Sequence, residues 1–176
     1  MISRKTFVIL IAVGSNLPVP GLGTPAEICA RALARLDSMG IRIAAISRFY
    51  ETAPVPVSDQ PWYVNGVAAV ATGLDAAELL AKLHEVEQEF GRVRRERNEA
   101  RVLDLDLIDY DGVIDAGPPI LPHPRMAERA FVLLPLRDVA PGWRHPRTGQ
   151  GVDALIAALP PEQVIRLLPG MVSGLE

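Results

Sequence analysis

Leu103-Asp104-Leu105-Asp106-Leu107 sets two carboxylates two residues apart among leucines. On a β-strand alternate side chains share a face, so the leucines enter a core and both aspartates face the other way. At about 3.3 Å rise per residue their Cα atoms sit roughly 7 Å apart, close enough to converge on one cation. Unit charges about 4 Å apart repel by about 4 kcal/mol at an effective dielectric of about 20, a cost that a hard divalent ion such as Mg²⁺ removes. The plainer alternative is an amphipathic strand with a wet outer face.

Directly before this strand, residues 91–101 hold five of the chain's 18 basic residues, all arginine: Arg92, Arg94, Arg95, Arg97 and Arg101. A guanidinium fork binds two phosphate oxygens at once. Arginines beside metal-binding carboxylates suit phosphoryl transfer, where cations share the charge spread over the transferring group. Otherwise the stretch is a solvated loop whose arginines pair with Glu96 and Glu99. Glu87, four residues after Leu83, falls at the edge of a helical apolar stripe and is either a flanking charge or a carboxylate aimed at the arginine loop and a nucleotide bound there.

Further candidates lie elsewhere. Thr52, Val55, Trp62, Tyr63 and Asn65 combine aromatic and amide groups able to clamp a flat heterocycle, or simply belong to strand ends. His123 stands between Pro122 and Pro124, followed by Arg125 and Arg129 at a spacing that lets both face one phosphate on a helical turn; the plainer alternative is a loop histidine without a ligand and ordinary surface charge.

The elements that must position these groups read as follows. A first strand is expected over 6–13, with a signal peptide as the less favoured reading of the same apolar run. A Pro- and Gly-rich loop covers 14–23. Thr24, Pro25 and Glu27 form a capping box that starts a helix ended by Gly40. Residues 41–50 read as a second strand, 51–60 as a loop and 62–72 as a third strand. Asp75 and Glu78 cap a second helix reaching Phe90, which Gly91 stops. Residues 102–110 form the fourth strand, 117–124 a Pro-rich loop, 129–138 and 152–159 helices, and 164–168 a last short strand. The order β-α-β-β-α-β predicts an α+β ferredoxin-like sandwich with a mainly antiparallel sheet and additional C-terminal helices, one domain over residues 1–176.

Composition narrows the function. Of 176 residues, 49% are hydrophobic and 22% charged, with a net charge of −3, which disfavours coating of nucleic acid or membrane. No apolar run approaches the ~20 residues of a membrane span. A single cysteine, Cys29, leaves no intrachain disulfide and favours a reducing, cytoplasmic setting.

Together these segments resemble the 6-hydroxymethyl-7,8-dihydropterin pyrophosphokinases. The resemblance is carried by Ala12-Val13-Gly14-Ser15-Asn16-Leu17, Ser47-Arg48-Phe49-Tyr50-Glu51-Thr52 and Asp59-Gln60-Pro61-x-Tyr63-x-Asn65. It continues in Arg101-x-Leu103-Asp104-Leu105-Asp106-Leu107, Leu121-Pro122-His123-Pro124-Arg125-Met126 and Arg129-x-Phe131. It implies transfer of pyrophosphate from ATP to a pterin hydroxymethyl group, leaving AMP. A monomer is expected, and the charge balance argues against a nucleic acid or membrane partner. By the same resemblance Asp104 and Asp106 bind two Mg²⁺ ions. Arg92, Arg101 and Arg129 meet the phosphates, and His123 and Glu87 lie at the nucleotide. Thr52, Asn65 and Phe131 match pterin-pocket positions, with Tyr63 and Val55 nearby. Catalytic roles fall to Arg92, Arg101 and Asp106.

The chain departs from the family where Asn98-Glu99-Ala100 replaces Trp-Gly-Pro, where Ala53 replaces a proline, and where Gly117-Pro118-Pro119-Ile120 lacks an Arg and a Thr. Residues 18–23 form an insertion without an obvious task. Two other readings stay open: another Mg²⁺-dependent nucleotidyl or phosphoryl transferase, or a non-catalytic ferredoxin-like sensor of small molecules.

Overall fold

A computed structural model describes residues 8–54, 56–91 and 100–170. Arg92 and Val55, and the start of the expected first strand, lie outside the described residues.

β1 (Ile9–Ser15) pairs antiparallel with β4 (Tyr63–Ala71) on one side and β5 (Asp104–Tyr110) on the other. β4 then pairs antiparallel with both β2 (Arg42–Ile46) and β3 (Tyr50–Thr52). This is the ferredoxin-like strand order anticipated from the sequence, with one break and with the expected last short strand at its edge. The expected 41–50 strand is broken: the Ser47 hydroxyl accepts the Val67 N–H at 2.9 Å, interrupting the ladder between β2 and β3. The C-terminal segment forms β8 (Ile165–Leu167), which extends the sheet antiparallel to β3. The Pro-rich loop also holds a two-residue hairpin, β6 (Asp115–Ala116) with β7 (Ile120–Leu121).

Both capping boxes form. Thr24 opens α1 (Pro25–Ser38) with Glu27, and Asp75 opens α2 (Ala76–Glu89) with Glu78, each side chain satisfying the other's backbone N–H. Gly40 and Gly91 then turn the chain with φ of 85° and 84°, a conformation that costs glycine little.

Two cores flank the sheet. Ile28, Leu33, Leu36, Leu79, Leu83 and Val86 of α1 and α2 pack on Ile11, Val13, Leu105 and Leu107. On the opposite face Leu10, Val67 and Ile108 meet Leu133 and Leu136 of α3 (Ala130–Val139) and Val152 and Leu155 of α4 (Val152–Ala157). The leucines flanking the aspartates thus enter the first core, as alternation requires. The insertion at 18–23 has a task after all. It closes on itself through the Val19 and Gly23 backbones and lays Val19 and Leu22 against the first core.

Candidate active site

One row of residues crosses the sheet on the α3 face. Asp104 of β5 is opposite Gly14 of β1, Gly14 is opposite Asn65 of β4, and Asn65 is opposite Tyr50 of β3. Asp106 lies in the next row on that face, opposite Ala12. Residues in register project to the same side, and neighbouring strands lie about 4.8 Å apart. Asp104 and Asn65 therefore stand roughly 10 Å apart across a gap floored by a glycine. The glycine is needed there: a Cβ on Gly14 would come within 2.7 Å of Asn65 Oδ1.

On one side of the gap lies a pair of buried polar side chains. Asn65 and Thr52 are 7% and 5% exposed, and Asn65 Nδ2 donates to Thr52 Oγ1 at 2.7 Å. That bond fixes the amide orientation and leaves Oδ1 toward Gly14. Tyr63, two residues before Asn65, donates its hydroxyl to Gln60 Oε1 at 3.4 Å, and burial pushes its phenol pKa up. Phe131, at the start of α3, packs partly buried on the second core with the Arg129 guanidinium 5.3 Å from its ring centroid.

On the other side are the charges. Arg101 binds Asp104 through Nη1–Oδ2 at 2.8 Å, both groups about a quarter exposed. Arg129 is half-buried. Burial lowers its pKa, opposed by the negative charges of Asp106 and Asp104. His123 is held by its backbone N–H on Ile108 O at 2.9 Å, and its Nδ1 accepts the Arg125 N–H at 3.2 Å. Burial first, then the cations Arg129 and Arg125, push the imidazole down to about 4. It is neutral near pH 7 with its proton on Nε2, a donor suited to an anionic oxygen. The structure therefore brings Thr52, Tyr63, Asn65, Arg101, Asp104, Asp106, His123, Arg129 and Phe131 onto one face.

Glu87 is placed differently from its expected position. It is not at the edge of the α2 stripe but within it, 2% exposed, and its Oε1 accepts the Leu105 N–H at 2.7 Å. The described contact holds β5 in place from behind, between the two aspartates. Glu87→Ala is expected to leave that N–H unsatisfied and cost about 1–3 kcal/mol, while Glu87→Gln keeps an acceptor and costs less. Urea denaturation of both variants measures the difference.

Sequence reasoning gave no site role to three further residues. Asn16 bridges the loop before β4 and the segment before β5. Gln163 accepts the Ala130 N–H at 2.8 Å and donates to Glu128 O at 2.7 Å, so the C-terminal segment secures the turn that carries Arg129. Asp109 is buried past a bulge in β5 and accepts Trp143 Nε1 at 2.7 Å, which sets it apart from the two site aspartates. Each has partners more than 30 residues away, so no local spacing signals it.

Among the described residues no group of three or more His, Cys, Asp or Glu side chains could hold a metal ion. Two carboxylates alone fit Mg²⁺, which is commonly held by one or two carboxylates with substrate phosphates and water supplying the rest.

Comparison with known proteins decides the family. The model of 7,8-dihydro-6-hydroxymethylpterin-pyrophosphokinase matches residues 10–141. The chain belongs to this family. Among its pyrophosphokinase relatives is the 2-amino-4-hydroxy-6-hydroxymethyldihydropteridine pyrophosphokinase of Pseudomonas aeruginosa, 41% identical over 92% of this chain and 97% of that protein. The folic acid synthesis protein fol1 of Pneumocystis carinii is 33% identical over 92% of this chain, which spans only 21% of that longer protein. A crystal structure of HPPK-DHPS in complex with substrates shares the fold, with a TM-score of 0.64 and 12% identity over 86% of this chain and 43% of the other. The pyrophosphokinase domain thus occurs both alone and within larger proteins of folate synthesis.

Proposed function

We propose that this chain transfers the pyrophosphoryl group of ATP to the hydroxymethyl group of 6-hydroxymethyl-7,8-dihydropterin, releasing AMP, as a step of folate biosynthesis. Family membership favours this diphosphokinase reading over another nucleotidyl transferase or a sensor domain. The observation that carries it for this chain is the row Asp104–Gly14–Asn65, which sets a phosphate-and-metal side and a heterocycle pocket side by side.

The residues divide the work. Thr52, Tyr63, Asn65 and Phe131 line the pterin pocket, and Val55, outside the described residues, is assigned to the same substrate by sequence alone. Asn65 and Thr52 supply the polar edge, and Phe131 an aromatic face. Arg101, Arg129 and the Nε2–H of His123 take the triphosphate oxygens, with Arg92 from the adjoining segment. Glu87 acts at the nucleotide side by supporting β5. Asp104 and Asp106 would hold two Mg²⁺ ions, which when bound would neutralise phosphate charge and lower the pKa of the acceptor hydroxyl. The hydroxyl oxygen forms a bond to the β-phosphorus as the bridge to the α-phosphate breaks, and AMP leaves. Asp106 helps to take up the hydroxyl proton.

We further propose that residues 1–176 act as one domain and as a monomer, since one chain supplies every site residue named. Among the described residues no helix is long and apolar enough to cross a membrane. The single cysteine, buried and free, suits the cytoplasm.

The deciding assay is AMP formation from ATP and Mg²⁺ with and without hydroxymethyldihydropterin. AMP that appears only with the pterin supports the reading, and ATP turnover indifferent to it overturns it. Asn65→Ala is expected to weaken pterin binding about tenfold, by roughly 1.4 kcal/mol, and to leave nucleotide affinity within about twofold. Calorimetry on each ligand checks this, and an equal loss on both would mean the pocket is misplaced.

A further inference from the structure

Asn16 immediately follows β1 and is 0% exposed. Its backbone N–H donates to Arg101 O at 3.0 Å and its Oδ1 accepts the Arg101 N–H at 2.7 Å. Its Nδ2 donates to Pro61 O at 3.1 Å and to Gln60 Oε1 at 3.3 Å. These partners fix the amide: the oxygen faces an N–H and the nitrogen faces a carbonyl, so an aspartate there would set oxygen against oxygen.

The two ends of this clamp lead to opposite sides of the reaction. Arg101 continues to Asp104 through its 2.8 Å ion pair. Gln60 Oε1 also accepts the Tyr63 hydroxyl at 3.4 Å, and Pro61 stands two residues before Tyr63 at the head of β4. Tyr63 feels the charges of both Arg101 and Asp104. One buried amide thus ties the edge of the heterocycle pocket to the arginine beside the metal carboxylates. Reacting groups held in fixed relation avoid an entropic cost at the transition state, and small misplacements are expensive.

We propose that Asn16 is a positioning residue that sets the acceptor pocket and Arg101 in register, so that one substitution damages acceptor affinity and the transfer step together. This rests on the pyrophosphoryl-transfer reading above.

The test measures two quantities in the full chain. One is the Kd for hydroxymethyldihydropterin with a non-hydrolysable ATP analogue and Mg²⁺ present. The other is the single-turnover rate of AMP formation at saturating substrates. Circular dichroism normalises both to the folded fraction. Asn16→Ala is expected to raise the Kd about tenfold and slow single turnover about tenfold. Gln60→Ala, which cuts only the pocket arm, is expected to raise the Kd about threefold, and to have a smaller effect in the Asn16→Ala background. A merely structural role lowers Tm but leaves both constants of the folded fraction within twofold, and that result overturns the proposal. So does a Gln60→Ala effect of equal size in both backgrounds. If Asn16→Ala does not fold, Gln60→Ala decides alone: a raised Kd supports the clamp and an unchanged Kd overturns it. A wild-type chain that makes no AMP fails the functional reading, whereas an active wild type with indifferent variants fails only this inference.

Discussion

Asp106→Asn is expected to cut AMP formation at least about a thousandfold while the protein stays folded, and Asp104→Asn to do the same. Each change removes a negative oxygen from the pair that would hold Mg²⁺. Metal-ion stabilisation of transition-state charge is worth several kcal/mol, and about 4 kcal/mol corresponds to roughly a thousandfold in rate. The cost to stability is small for a structural reason. Both aspartates are partly exposed on the sheet face, and the leucines beside them carry the packing. The Asp104–Arg101 pair is also partly exposed, and pairs of that kind contribute about 0–1 kcal/mol. In a chain of 176 residues 1 kcal/mol shifts Tm by about 2–4 °C, so both variants are expected to melt within about 4 °C of the parent. Steady-state assays with thermal melts check the two halves together. Near-normal turnover in either folded variant would remove the metal assignment.

Why the aspartates could be read from sequence, and their supports could not, follows from the range of the interactions. Period-two alternation around Asp104 and Asp106 is local, as are the capping boxes at Thr24 and Asp75, so sequence spacing carries them. The break between β2 and β3 depends on a hydroxyl meeting the N–H of Val67, 20 residues away. The burial of Glu87 depends on an N–H 18 residues on, in β5. A helical wheel sees only a carboxylate beside leucines and assigns it to the rim. Asn16 is harder still, because its side-chain partners lie 44, 45 and 85 residues away. In the sequence it is just the end of Gly14-Ser15-Asn16, a turn by composition. The resemblance to a known family supplied what spacing could not, namely that these distant segments share one face. The sheet register gives the physical reason, since Asp104, Gly14 and Asn65 are consecutive across three strands.

Arg101→Ala is expected to move two measurements in opposite directions. Transfer slows, because a charge-assisted contact to phosphate is lost. Such contacts are worth roughly 1.5–3 kcal/mol, which corresponds to about a 10- to 150-fold fall in single-turnover rate. Divalent-ion binding in the absence of nucleotide, by contrast, tightens. In the structure the Arg101 guanidinium lies 2.8 Å from Asp104 Oδ2, on one of the carboxylates that would hold the metal. A cation so close competes with Mg²⁺ for the same negative charge, and at an effective dielectric of about 20 a unit charge some 4 Å away opposes its entry by a few kcal/mol before screening. Partial exposure reduces that figure, so a gain of about threefold to tenfold in Mn²⁺ or Mg²⁺ affinity is the expected scale. The same argument predicts how Arg101 behaves when Mg²⁺ and ATP arrive together: it gives up Asp104 to the metal and takes a phosphate oxygen instead, so no net charge is stranded at any stage. Metal titration of the two proteins without nucleotide, set beside their single-turnover rates, checks both directions. A slower variant with unchanged or weaker metal binding would mean that Arg101 acts on phosphate alone, and a variant within twofold of the parent rate would remove it from the transfer step.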